Sequence, residues 1–300
     1  MHRFIALLFA LVLAVPAQAG KLRVVATTTD LAAVASQVGG DHIKVTALSL
    51  PTQDPHFVDA KPSLLLELSR ADALVVQGLQ LEVGWLPTLQ TGARNKHIQL
   101  GSAGYIDCSQ WVELLQIPAG SVSREMGDIH PGGNPHYTFD PYAMIRVAAG
   151  LGQRLGQLDP ENAMVYAVNA GQFEADLRRE LPAWEQRLAA LKGAPVVEFH
   201  RSWPYLERWL GFEIVVDIEP KPGIPPNPAH VAHVLGVVEQ LGAGIILQEV
   251  YYPPNTARLI ADKSAAELVI LPGGTNFGGG QSYIGHIEAV VTALEAGMSK

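Results

Sequence analysis

The 300-residue chain carries 21 basic against 29 acidic residues, a net charge of −8 with histidine neutral, and one cysteine, Cys108. An acidic balance repels nucleic-acid phosphates and excludes nucleic acid as a partner class. A lone cysteine excludes an intrachain disulfide and a thiolate cluster, so any metal site uses nitrogen and oxygen ligands.

Residues 1–19 read as an export signal. Arg3 supplies the positive start, Phe4 to Val15 is an apolar run too short to span a bilayer, and Ala17-Gln18-Ala19 is a small-x-small cleavage site before Gly20. The mature chain is expected to begin near Gly20 and to work in the periplasm, with 20 basic against 29 acidic residues, a net charge of −9. Its roughly 280 residues exceed one small core, so two lobes are expected.

Leu22 to Thr28 is a strand, followed by a helix that Asp30 caps and Gly39-Gly40 stops. Ile43 to Leu48 is a second strand and leads to the loop Pro51 to Pro62, which carries His56. A helix over Ser63 to Arg70, a strand over Ala73 to Val76, a helix over Leu81 to Leu89 and a fourth strand over Ile98 to Leu100 complete the pattern. Ser102 to Gly133 reads mostly as loop. Alternating strands and helices point to a parallel sheet flanked by helices.

Tyr142 to Leu158 is helical, and Asp159-Pro160 opens a second helix toward Leu191. Phe173, Leu177, Leu181, Trp184, Leu188 and Leu191 share one face at spacings of three and four. Such a helix is about 45 Å long, and Pro182 is expected to kink it or to mark a junction of two helices. The second half repeats the alternation, with strands at Val196 to Phe199, Glu213 to Val216, Gly244 to Leu247 and Leu268 to Leu271. Helices are expected over Tyr205 to Leu210, Pro228 to Leu241, Asn255 to Asp262 and Ser282 to Ala296. The fold class is α/β, with two lobes of parallel-type sheet flanked by helices, a long backbone helix joining them and the ligand in the cleft between. The expected divisions are 20–158, 159–192 and 193–300.

Two stretches repeat one order of residues, Asp54-Pro55-His56-Phe57 and Asn134-Pro135-His136-Tyr137. Proline fixes its own φ and pushes the preceding residue into extended backbone, so each triplet is a stiff corner ending in an imidazole. His200 follows the apolar run Pro195 to Phe199 at the end of a buried strand, where parallel sheets place functional side chains. Two corner histidines and one strand-end histidine converging on the cleft suit zinc. His130, just before the second corner, is a candidate auxiliary ligand, whereas His42, His97, His230, His233 and His286 have no such context.

These residues resemble the substrate-binding receptors of bacterial zinc and manganese ABC importers, the TroA-like family, over essentially the whole mature chain. The matching stretches are Leu50 to His56, Asn134 to Tyr137 with Asp140-Pro141, Glu198-Phe199-His200, and Gly274-Thr275-Asn276 followed by Ser282-Tyr283. The resemblance implies two α/β lobes on a rigid helix, a metal in the cleft, and delivery to a membrane permease. It makes His56 and His136 the first-lobe ligands and His200 the second-lobe ligand, at a position that is histidine in zinc-type and glutamate in manganese-type members. Zn2+ is therefore expected ahead of Mn2+, which prefers oxygen ligands. Where many relatives have an acid before the Gly-Thr-Asn stretch, this chain has Leu271. Glu249, at the end of the strand Ile245-Ile246-Leu247, is the candidate replacement; a water is the other option, with Glu249 then accepting from the Tyr251 to Pro254 loop.

The expected function is a monomeric receptor that closes two lobes on zinc and hands it to the permease. One alternative is a zinc-dependent hydrolase with Glu249 as general base, and another is an adhesin or scavenger on the same fold. The absence of an HExxH helix in the sequence weighs against catalysis.

Overall fold

A computed structural model describes residues 20–299 except 124, 125 and 128; the export signal read in 1–19 lies outside the described residues. Among the described residues, no helix is long and apolar enough to cross a membrane.

Two four-stranded sheets form, both wholly parallel. The first comprises β1 (Leu22–Ala26), β2 (Ile43–Ala47), β3 (Ala73–Val76) and β4 (Tyr105–Asp107), in the order β2-β1-β3-β4. The second comprises β5 (Pro195–Glu198), β6 (Glu213–Asp217), β7 (Ile245–Glu249) and β8 (Glu267–Leu271), in the order β6-β5-β7-β8. Each order reverses direction once, between β1 and β3 and between β5 and β7. Crevices for ligands open at the carboxyl ends of strands at such reversals.

The connecting helices are α1 (Thr29–Gly39), α2 (Pro62–Ser69), α3 (Leu86–Ala93), α4 (Pro141–Leu158), α5 (Ala163–Arg187), α6 (Pro204–Leu210), α7 (Pro228–Leu241), α8 (Asn255–Asp262) and α9 (Tyr283–Met298). Side chains alternate across each strand, because successive Cβ atoms point to opposite faces. Val24 and Ala26 of β1, Val196 of β5, and Ile245 and Leu247 of β7 join one central core with Val34 of α1, Val147 of α4, Phe173 of α5 and Val290 of α9. Val25 of β1 turns outward to Leu68 of α2 and Leu89 of α3, while Val197 of β5 turns to Val238 of α7 and Ile260 of α8. The two lobes therefore share one continuous buried core and keep only their outer faces separate.

Several local expectations change. Ile98 to Leu100 is not a strand: Lys96–Ile98 is a 3-10 turn that buries Ile98 in the outer core, and the fourth strand is Tyr105–Asp107. Three residues are too few for a period-2 pattern to register. The helix expected from Leu81 begins only at Leu86, with Pro87 in its first turn, where the missing N–H costs nothing. Asp159 does not cap backbone; its carboxylate accepts from Asn162 and from the Tyr166 hydroxyl, and a 3-10 turn over Pro160–Asn162 precedes α5. α5 runs as one helix through Pro182 and stops at Arg187, so Leu188 and Leu191 complete its apolar stripe from a following 3-10 turn.

Candidate metal centre

His56 lies in the loop between β2 and α2, His136 immediately before the 3-10 turn that leads to α4, and His200 two residues past β5. Their donor atoms all lie within 4.8 Å of one another, and all three side chains are buried. Ring centroids are 5.2 Å apart for His56 and His136, 5.3 Å for His56 and His200, and 5.4 Å for His136 and His200. Imidazoles pack this way around a cation that each can ligate.

The repeated corners owe their shape to the residue before proline as much as to proline itself. Asp54 Oδ1 accepts the His56 backbone N–H at 2.9 Å, and Asn134 Oδ1 accepts the His136 N–H at 2.9 Å. Each triplet is an Asx turn in which a short polar side chain reaches two residues on, which is why aspartate and asparagine are interchangeable there.

Two imidazoles are further held by carboxylates. His56 Nδ1 meets Asp54 Oδ1 at 2.7 Å, and His200 Nδ1 meets Glu219 Oε2 at 2.8 Å. A carboxylate on Nδ1 keeps the proton there and leaves Nε2 as the ligand nitrogen. Burial pushes Asp54 upward, but the His56 hydrogen bond and charge hold it below the usual carboxylate range. Neither Asp54 nor Glu219 stood out as a partner in the sequence, although strand register contains the second. Glu198 of β5 pairs with Asp217 of β6, so two steps further His200 faces Glu219.

His130 lies against His56, its Nε2 3.2 Å from His56 Nε2 and the two rings stacked at 5.3 Å, but it is outside the group whose donors all lie within 4.8 Å. Burial and the neighbouring His56 and His200 charges lower its pKa to about 3. Burial and the same neighbours also hold His136 well below the ordinary histidine range, so both rings are neutral, the form that binds metal.

Glu249 ends β7 with its side chain fully buried, but it is not in the group whose donors lie within 4.8 Å. Neither carboxyl oxygen has a partner in hydrogen-bonding geometry. Burial raises its pKa to about 8, with the Ser202 hydroxyl pulling down and the Asp54 and Glu219 carboxylates pushing up. Burial thus favours its protonated form. Leu271, at the position where the family resemblance led to the expectation of an acid, is buried in the shared core.

A folded pKa raised from 4.5 means that Glu249 stabilises fully below pH 4.5 and loses that contribution as pH rises through about 8. Glu249→Gln removes this loss. Its unfolding free energy is expected to gain on the parent by up to about 1.4 kcal/mol per pH unit between the two values, measured by urea denaturation at pH 5 and pH 8. A constant difference across that range would contradict the assignment.

Polar ties cross the cleft around the histidines. Asn134 Nδ2 donates to the Arg201 carbonyl at 2.8 Å, the Tyr205 hydroxyl to the Asn134 carbonyl at 3.0 Å, and the Tyr252 hydroxyl to Asp54 Oδ2 at 3.3 Å. Asp30, expected as the cap of α1, instead sits inside its first turn. It accepts from the Thr275 N–H at 2.7 Å and the Thr275 hydroxyl at 2.6 Å. Gly274 permits that approach, because a Cβ there would lie 2.7 Å from Thr29 Oγ1. Ser282 caps α9 through the Gly285 N–H, and the Tyr283 hydroxyl donates to the Thr138 carbonyl at 2.7 Å. The Gly-Thr-Asn and Ser-Tyr stretches are thus fasteners between lobes rather than ligands.

Known proteins are similar to this chain in sequence and fold. The chain is 24% identical over 283 residues to the high-affinity zinc uptake system protein ZnuA of Paracoccus denitrificans, covering 84% of this chain and 83% of that one. It is 28% identical over 197 residues to the manganese-binding lipoprotein MntA of Bacillus subtilis, a match spanning 65% of this chain and 60% of that relative. Among solved structures, a crystal structure of ZnuA superposes with a TM-score of 0.76 at 22% identity, covering 92% of this chain and 99% of that one. The binding protein FpvC of Pseudomonas aeruginosa with Ni2+ gives 0.74 at 22% identity, covering 92% and 94%. Residues 24–297 match the family described as ZnuA, zinc-uptake complex component A periplasmic, and the chain belongs to that family of ABC-importer substrate-binding proteins.

Proposed function

We propose that the chain is a periplasmic zinc receptor in which His56, His136 and His200 hold the ion, and that it delivers the ion to the permease of an ABC importer. The observation that carries this is the convergence of three buried imidazoles, two of them braced by carboxylates. Such second contacts orient a ligand ring and raise its basicity. An all-nitrogen site favours zinc over manganese, which prefers harder oxygen donors and lies lower in the affinity series. Equilibrium dialysis against both metals, followed by elemental analysis, tests the choice. Manganese retained in preference to zinc would reverse it. His200→Glu, which adds a hard donor, is expected to shift the ratio toward manganese by about 10-fold or more, a change of roughly 1.4 kcal/mol in relative affinity.

We assign the fourth position to His130 in place of Glu249. Two nitrogens bound tetrahedrally at about 2.0–2.1 Å from zinc lie about 3.3 Å apart. His130, like Glu249, stands outside the group whose donors all lie within 4.8 Å of one another, but its Nε2 is 3.2 Å from His56 Nε2, so its ring has to move toward His136 and His200 to share the ion. His130 also borders a cavity of about 270 Å³ lined by His56, Phe57, Val83, Ile129 and Pro131, a route from solvent to the ligands. The receptor works as a monomer, since one copy supplies every donor. We take 20–158 and 193–300 as its lobes and 159–192 as the link.

A further inference from the structure

His56 and His200 each have a carboxylate behind Nδ1, but neither ring nitrogen of His136 is hydrogen-bonded to any described residue. A metal on one nitrogen of a neutral imidazole leaves an N–H on the other. A buried N–H without an acceptor costs about 1–3 kcal/mol. His136 lines a cavity of about 20 Å³ bordered also by Thr28, Ser49, Gln77 and Thr138. About 10–15 Å³ measured this way suffices for one water.

Two side-chain atoms of that wall are buried without partners, Thr28 Oγ1 and Gln77 Oε1. Thr28 stands at the N-cap of α1 with extended backbone, where a threonine hydroxyl ordinarily accepts an N–H of the first turn, yet it makes no capping bond. Its hydroxyl is unused by the helix. Gln77 is oriented unambiguously, because Nε2 donates to the Pro135 carbonyl at 2.6 Å and leaves Oε1 as a pure acceptor. Gln77 also accepts the Tyr137 hydroxyl on its backbone carbonyl at 2.7 Å, so it grips the peptide on both sides of His136.

We propose that this cavity holds one structural water that accepts the free N–H of His136, donates to Gln77 Oε1 and exchanges a hydrogen bond with Thr28 Oγ1. Three bonds is the usual complement of a buried water. The water does for His136 what Asp54 and Glu219 do for the other two rings. A neutral partner suits this position, since a third carboxylate would add negative charge beside Asp30 in the same wall. Thr28 and Gln77 become positioning residues for the metal site. Their effect on affinity rests on His136 being a ligand, whereas the water itself does not.

Neutron or high-resolution X-ray diffraction on the full chain tests the water directly. Density within about 2.7–3.2 Å of a His136 ring nitrogen, Thr28 Oγ1 and Gln77 Oε1 is expected. An empty cavity, or a protein acceptor on His136, would overturn the proposal while leaving the metal assignment intact. Titration calorimetry with zinc then compares Thr28→Val, which keeps shape and loses the hydroxyl, with Thr28→Ser, which keeps it. The valine variant is expected to bind about 10-fold or more weakly and the serine variant within about 2-fold of the parent. Nitrogen-15 shifts of His136 should change from one fixed tautomer to an average in the valine variant alone. Unchanged affinity and an unchanged tautomer in Thr28→Val would sink the idea. If the parent binds no zinc, the metal assignment fails and the diffraction result still decides the water.

Discussion

His136→Ala is expected to weaken zinc binding by more than about 100-fold, since loss of even an outer-sphere partner costs 10–100-fold and this change removes a ligand itself. The side chain is buried, and burial holds its pKa well below the ordinary histidine range, favouring the neutral form that binds metal. Nothing nearby replaces it: Glu249 lies outside the converging group, and Leu271 is apolar and buried. His130 is already opposed to His56 at 3.2 Å and is the donor proposed for the fourth position. Titration calorimetry against a competing chelator measures the loss. An affinity within about 10-fold of the parent would remove His136 from the ligand set, and with it the three-histidine site. Urea denaturation of the same variant guards against a trivial cause, because a fold kept intact with binding lost is the expected combination.

Zinc is expected to raise the melting temperature by roughly 10 °C when free metal exceeds the dissociation constant about 1,000-fold. Binding to the native state alone adds about 4 kcal/mol at that ratio. For a chain of this size each kcal/mol is worth about 2–4 °C. An ion held by His56, His136 and His200 would join a loop of the first lobe, the segment before α4 and the edge of the second sheet. It therefore ties elements from both halves, and the transition should sharpen as well as move. A chelator should return the transition to its starting value. A melting temperature indifferent to zinc, or one raised equally by magnesium, would contradict a specific nitrogen site.

The sheets were legible because buried parallel strands read as short apolar runs, and Ala73–Val76 coincides with its run end for end. Pro228–Leu241 and Asn255–Asp262 were legible from their flanking polar and proline residues. Tyr105–Asp107 was hidden because three residues carry no periodicity, and its pairing with β3 depends on partners distant in sequence. The three histidines stood out because stiff corners and a strand end are local features. Glu219 did not, since its role comes from strand register, which no short stretch contains. Asp30 misled because an acid near a helix start resembles a cap, whereas its real partner, Thr275, lies 245 residues away. Glu249 ends β7 at the sheet edge read from the sequence, buried and outside the converging group.

The core common to both sheets limits how zinc can be captured. Swinging one lobe away from the other would expose Val24, Phe173, Val196 and Ile287 together, all of them buried in one body of apolar packing. At about 25 cal/mol per Å², opening several such side chains costs more than a metal site readily returns. Capture by side chains and loops at the mouth of the cleft is then expected in place of the wholesale lobe closure read from the sequence. Little apolar surface changes its exposure to water, so the heat-capacity change of binding is expected to be close to zero. The radius of gyration from small-angle scattering should stay the same with and without zinc. A receptor built this way keeps nearly the same outline whether loaded or empty.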